Sequence, residues 1–457
     1  MTTLLAFAGA IALLVVFHEY GHYWVARRCG VKVLRFSVGF GKVIYSRRFA
    51  NSDTEWVISA IPLGGYVKML DEREAEVAPE ELDMAFNRKP VWQRMAIVVA
   101  GPIANLLLAM VLYWVLFMHG QPGLKPVVGD VPLGSPAAQA QMQLGETILG
   151  INGEATPSWQ DFRWELMKQA LGQDADSPSR KVTVDAETAA GQRISHTLDL
   201  GSLQPQDLDG EFLNKLGLLP YQPTIMPVIG KLVEGGVAQT AGLHEDDRIL
   251  RADGKKMESW EDLVSVVRSH PAQAVTLEIR RGEQTLSLVV VPQAVDETGS
   301  RIGKIGAGPK VDRVAWQMLL VEVSYPPFEA LGKAVYKTWD TSTLSLKMLG
   351  KMLLGQISVK NLSGPITIAD YAGQSAQIGW VAYLGFLALI SVSLGVLNLL
   401  PVPLLDGGHL LYYVAELLKG SPVSEQAWEI GQRIGIAMLG TLMVFAIYND
   451  INRLISG

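Results

Sequence analysis

A single cysteine, Cys29, stands in the whole sequence, which excludes a disulfide within the chain. There is also no stripe of basic residues interleaved with aromatics, and the net charge of −6 gives no footprint for a polyanion. Nucleic acid is therefore not an expected partner. Charge is missing altogether from four stretches, residues 1–18, 95–118, 371–405 and 434–449, which hold no Lys, Arg, Asp or Glu. A bilayer core requires about 20 such residues, so each is a candidate span. The last is short by that measure, but Arg433 and Asp450 flank it and can reach the interfaces. The first lacks the Lys or Arg that opens a cleavable signal peptide, and it is read as a retained helix.

What is present fits a polytopic membrane protein. Hydrophobic residues make up 49% of the chain, more than a soluble core needs. After the first apolar run come Arg27, Arg28, Lys32, Arg35, Lys42, Arg47 and Arg48 with no acidic residue among them. The positive-inside rule places this loop in the cytoplasm and the N-terminus outside. Alternation through four spans then puts the polar segment from residue 119 to about residue 379 outside, returns Asp406 to the cytoplasmic face, and leaves both termini outside.

Residues 127–162 align without gaps onto 228–263 at a constant offset of 101. Gly129 matches Gly230, Ala140 matches Ala241, Ile148 and Leu149 match Ile249 and Leu250, and Trp159 with Asp161 matches Trp260 with Asp262. One module is present twice. Its order, a short strand, a small-residue helix, a strand ending in Asn-Gly or Asp-Gly and a helix opened by Ser-Trp, resembles the PDZ domain. The run from Gly242 to Ile249 carries most of that likeness, with Asp246 where the pattern usually has Gly. The resemblance implies two small domains, 123–222 and 223–309, that bind chain ends or strands by β-addition. Beyond them, Pro326 and Pro327 precede a segment, 324–360, with Lys333, Lys337, Lys347 and Lys351 at near-helical spacing. An interfacial amphipathic helix is expected there.

His18-Glu19-Tyr20-Gly21-His22 places two imidazoles four residues apart on one helical face, where they can share a zinc ion, with Glu19 beside them as a general base. Ionisable groups inside a span are costly unless paired or coordinated, and here three fall within five residues. A catalytic zinc takes three protein ligands, so one more is needed. At about 1.5 Å per residue His22 lies only about 7 to 8 Å from the Arg27 boundary. Asp406, at the end of the third apolar stretch, returns to that same face and is the candidate third ligand. A metal transporter or sensor would also place histidines and a carboxylate in spans, but it has no need of Glu19 next to His18.

Asp406 lies in Leu405-Asp406-Gly407, which together with the His-Glu-x-x-His motif resembles the site-2 protease family of intramembrane zinc metalloproteases. Gly101, Pro102 and Asn105 resemble its Gly-Pro-x-x-Asn element. Gly39-Phe40-Gly41 and Pro62-Leu63-Gly64-Gly65-Tyr66 resemble its cytoplasmic hairpin and loop. The landmarks follow in order over nearly the whole chain. The resemblance implies a polytopic α-helical membrane protein with four transmembrane helices (1–26, 95–118, 380–405 and 433–450), a cytoplasmic-side β-hairpin region (27–94) and two periplasmic PDZ domains. It implies one zinc ion held by His18, His22 and Asp406, catalysis by Glu19, and Asn398 binding substrate or oxyanion. It implies pairing of a substrate strand near Gly39, Phe40 and Gly41. The expected setting is the bacterial inner membrane, with the active site near the cytoplasmic face. Expected partners are the lipid bilayer, single-pass substrates such as a pre-trimmed anti-sigma factor, signal-peptide remnants, and peptide chain ends on the PDZ domains.

Overall fold

The computed structural model describes residues 2–49, 53–172, 180–203, 212–297, 300–356 and 364–456. The longer helices are α1 (Thr2–Arg28), α2 (Val91–His119), α3 (Trp159–Gly172), α4 (Trp260–Ser269), α5 (Pro327–Leu353), α6 (Pro365–Ile378), α7 (Trp380–Asn398), α8 (Asp406–Lys419) and α9 (Glu425–Ser456). Among the described residues, four helical segments are long and apolar enough to cross a membrane: Thr2–Arg28, Val91–His119, Trp380–Asn398 and Gln426–Arg453.

The apolar run 371–405 is not one helix. Gly379, with φ of 144°, separates α6 from α7, and α7 ends at Asn398. Pro401 and Pro403 have no amide hydrogen to continue the ladder, and Leu404 adopts a φ of 83°, so residues 399–405 leave the helix before Asp406 starts α8. The segment expected as an interfacial helix, 324–360, contains α5, and its residues 357–360 lie outside the described residues.

Helix α2 is the hub, packing against α1, α5, α7 and α8. Its contact with α1 is close because Gly21 lacks a side chain; a Cβ there would lie 2.3 Å from the Ala100 carbonyl oxygen. Leu14, Leu108, Ala109, Leu112, Leu116, Ala388 and Val392 fill the shared core, with Ala334 of α5. Ser391 of α7 donates to the Asn105 carbonyl at 2.7 Å, tying α7 to the same stretch of α2.

Between α1 and α2, β1 (Val33–Arg48) and β2 (Glu55–Met69) pair as four extended segments. Ser37 is opposite Tyr66 on one side and Val57 on the other, while Arg47 is opposite Trp56. Residues 65–69 therefore form one edge and 43–48 the other. Gly39 and Gly41, with φ of 92° and 83°, make the bend between the inner and outer parts of β1.

The two repeats fold alike. Strands in the first sheet run in the order 154–155, 147–151, 181–187, 193–199, and in the second 255–256, 248–252, 275–281, 284–290. Each covers its helix, α3 or α4, around its own core. A buried carboxylate recurs at one place in both: Glu146 meets His196 at 2.9 Å, and Asp247 meets Arg281 at 2.7 Å. The first repeat is also joined to α5. Asp340 accepts from the Trp164 indole at 2.6 Å and meets Lys168 at 3.2 Å, and Leu344 enters the core of that repeat.

Candidate metal centre

The last turns of α1 bring His18 and His22 onto the face that meets α2. Asp406, the first residue of α8, reaches the same point from the far end of the chain. His18 Nε2 lies 3.2 Å from His22 Nε2 and 3.1 Å from Asp406 Oδ2, and His22 Nε2 lies 3.6 Å from Asp406 Oδ1. These three are a grouping of His, Cys, Asp or Glu ligand atoms close enough for one metal ion. A tetrahedral zinc with bonds of about 2.0 to 2.1 Å has ligand-to-ligand edges of about 3.3 to 3.4 Å. The triangle matches that size.

The remaining ring nitrogens support the same assignment. His22 Nδ1 donates to the Ile97 carbonyl at 2.8 Å, which can only accept, so its Nε2 presents a lone pair. His18 Nδ1 faces the Asn105 amide at 3.3 Å, while the Asn105 Oδ1 is buried without a partner. Turning that amide by half a revolution places Oδ1 against an Nδ1–H and leaves the His18 Nε2 lone pair for the metal. Both imidazoles are thus fixed in the tautomer that coordination needs.

Space for the imidazoles is supplied by Gly101, where a Cβ would lie 2.2 Å from His22 Nε2 and 2.8 Å from His18 Nε2. Gly407 and Gly408 do the same for Asp406. Side chains there would strike the Leu400 and Val402 carbonyls at 2.1 and 2.4 Å, so only glycines let the chain fold back over the start of α8.

Glu19 turns toward residues 65–69. The Val67 amide donates to its carboxylate, and a Cβ on Gly65 would approach Glu19 Cγ to 3.2 Å. The strand beside the candidate base is therefore the 65–69 edge. Gly39, Phe40 and Gly41 lie at the bend, where the Phe40 ring stacks on Tyr66 at 6.2 Å and fills the space over Gly64. Pro102 sits in α2 between Gly101 and Asn105. Asn398 is the half-buried last residue of α7, ahead of the loop to Asp406.

Several parts of the centre have no signature in the sequence. The Ile97 and Val67 contributions come from a backbone carbonyl and a backbone amide, which leave no side-chain signature. Arg94 and Glu416 look like ordinary charges near helix ends until α8 is seen packed on α2.

The chain matches the model of peptidase family M50 over residues 6–442. It is 44% identical over 453 residues to the regulator of sigma-E protease RseP of Escherichia coli, covering 99% of this chain and 98% of that protein. Protease RseP of Yersinia pestis is also 44% identical, with 99% of each chain covered. A putative zinc metalloprotease of Neisseria meningitidis is 43% identical over 458 residues, covering 100% of both.

Proposed function

This chain belongs to peptidase family M50 and is a zinc metalloprotease, and from that premise we propose that it cleaves single-pass membrane proteins inside the bilayer at the His18, His22 and Asp406 centre. The observation that carries the reading is the triangle of three ligand atoms with Glu19 beside it on a helix long enough to span a membrane. His18 Nε2, His22 Nε2 and an Asp406 oxygen are the groups to hold the ion. Zinc, when bound, supplies the Lewis acidity that polarises the scissile carbonyl and eases deprotonation of water near neutral pH. Glu19 takes the proton from the attacking water and returns it to the leaving amine, and the Val67 amide keeps its carboxylate aimed. Asn398 donates its amide to the substrate or to the developing oxyanion.

A transmembrane helix must unwind before its carbonyls can be attacked, and lipid offers no replacement hydrogen bonds. The β1–β2 arm has two edges on which an extended substrate can pair. Its bend at Gly39, Phe40 and Gly41 sets the outer edge, whose Ile44 and Tyr45 are exposed, while residues 65–69 lead to Glu19. The repeats are PDZ domains on the opposite side of the membrane from the centre. A groove between α4 and residues 303–307, lined by Trp260, Leu263, Val264, Val267 and Ile305, suits an apolar chain end on the second of them. By analogy with the sigma-E regulators, the substrates are an anti-sigma factor already trimmed outside, and remnants of signal peptides. The chain lies in the inner membrane with both termini and both PDZ domains periplasmic and the centre near the cytoplasmic face.

Comparing wild type with Glu19→Gln for zinc content and for cleavage of a transmembrane reporter peptide tests the core of this. Zinc is expected to stay while turnover is lost by 100-fold or more, roughly the contribution of a general base. Undiminished turnover in the variant removes Glu19 from the chemistry.

A further inference from the structure

Helix α2 contributes no ligand, yet within about three turns it touches both histidines of the centre. Asn105 meets His18, the Ile97 carbonyl holds His22, and Gly101 leaves room for both rings. One turn before Ile97 stands Arg94. Its Nη2 donates to Glu416 Oε1 of α8 at 2.6 Å, its Nε donates to the Lys89 carbonyl at 3.0 Å, and its guanidinium lies 4.9 Å over the Tyr413 ring. The two charged side chains are only 11% and 13% exposed, so this is a desolvated, oriented pair rather than a screened surface contact.

Helix α8 needs such a tie. Asp406 is its first residue, preceded by a non-helical loop in which Leu404 takes a strained φ of 83°. Glu416 lies ten residues further on, about 15 Å along the helix axis. A slide or rotation of α8 on α2 moves the carboxylate of Asp406 by a similar amount, and a metal ligand tolerates displacements of only about 0.2 Å. On the α9 side the loop and α8 meet small residues in close packing, Gly435 against Pro403 and Gly431 against Tyr412. We propose that the Arg94 and Glu416 pair is a positioning device that sets the register of α8 on α2 and so places Asp406 against two histidines that α2 already orients. The proposal rests on the three-ligand centre described above.

The test uses the full-length protein in detergent micelles and titrates bound zinc against a chelator for wild type, Glu416→Ala, Arg94→Ala, Glu416→Gln and Arg94→Lys. Zinc release is expected at about 10- to 100-fold lower chelator concentration in the alanine variants, the usual effect of removing a group that orients a ligand. Glu416→Gln and Arg94→Lys, which keep one hydrogen bond, are expected to fall between. Added zinc should restore turnover in all four with the substrate KM unchanged, a recovery that a general loss of folding would not show. Zinc retention within twofold of wild type in both alanine variants overturns the proposal. If those two fail to fold by far-UV helicity, the Gln and Lys variants decide it by the same criterion. Asp406→Asn is the control that separates the two levels: wild-type zinc retention in that variant would sink the three-ligand centre itself.

Discussion

Gly101→Ala offers the sharpest test of the centre, because the perturbation is one methyl group and the protein tells where it goes. The added Cβ would lie 2.2 Å from His22 Nε2 and 2.8 Å from His18 Nε2, against an ordinary contact of about 3.4 Å or more. Backbone relaxation in a helix crossed this closely by α1 is limited, so an imidazole must move by about 1 Å. His22 is held by a 2.8 Å bond to the Ile97 carbonyl, and a shift of that size breaks it. The cost to folding is that of overpacking, about 1 to 3 kcal/mol. The cost to metal binding is larger, since coordination tolerates only about 0.2 Å and loss of a fixed imidazole lowers affinity by at least about 100-fold, near 3 kcal/mol. The variant is therefore expected to keep its helicity and lose its zinc, with turnover falling in parallel. Gly440→Ala, where a Cβ meets nothing within 4 Å, serves as the matched control and should keep both. Wild-type zinc affinity in Gly101→Ala would refute the claim that both rings converge under Gly101.

Two further outcomes follow from the repeated modules. In the second, burial alone would raise the Asp247 carboxyl, but the Arg281 guanidinium and the His244 amide hold it below its ordinary value. A depressed carboxylate stabilises the fold above the unfolded pKa of about 3.9 and ceases to do so as pH falls through the lower folded value. Denaturant midpoints of that module should thus drop between about pH 5 and pH 2, whereas Asp247→Asn should lose that dependence and about 2 kcal/mol at pH 7, discounted for the partly exposed Arg281. An unchanged acid profile in the variant would show that the pair is not the source. Deleting residues 127–290 should allow cleavage of an untrimmed single-pass substrate, measured beside its trimmed form; retained discrimination would remove the modules from substrate selection.

Spacing of four residues puts His18 and His22 on one face of a helix wherever that helix sits, and an offset of 101 repeats a module whatever surrounds it. Lack of charge over residues 1–18, 95–118 and 434–449 marks helices by composition alone. These features depend on periods of a few residues or on direct comparison of segments, so they are legible without coordinates. The run 371–405 shows where that stops. Composition reads it as one apolar unit, while the backbone at Gly379 and the prolines after Asn398 divide it, and only the resulting loop turns Asp406 inward.

The strand beside Glu19 illustrates the second limit. The family resemblance singles out 39–41 for pairing a substrate strand, and the positive φ of Gly39 and Gly41 also puts a bend there. Which edge reaches Glu19 depends on how β1 and β2 interleave, which the alternation of either strand leaves open.

By itself, then, the sequence determined two histidines and a base on a spanning helix, a carboxylate that could join them, and a doubled module. The tertiary structure decided how the carboxylate arrives and what holds it. Arg94 and Glu416 are 322 residues apart, and Ile97 acts on His22 through a carbonyl that every residue possesses. Local pattern encodes which face a side chain takes on its own helix, but the placing of one helix on another arises from packing, and in this protein that packing runs through α2.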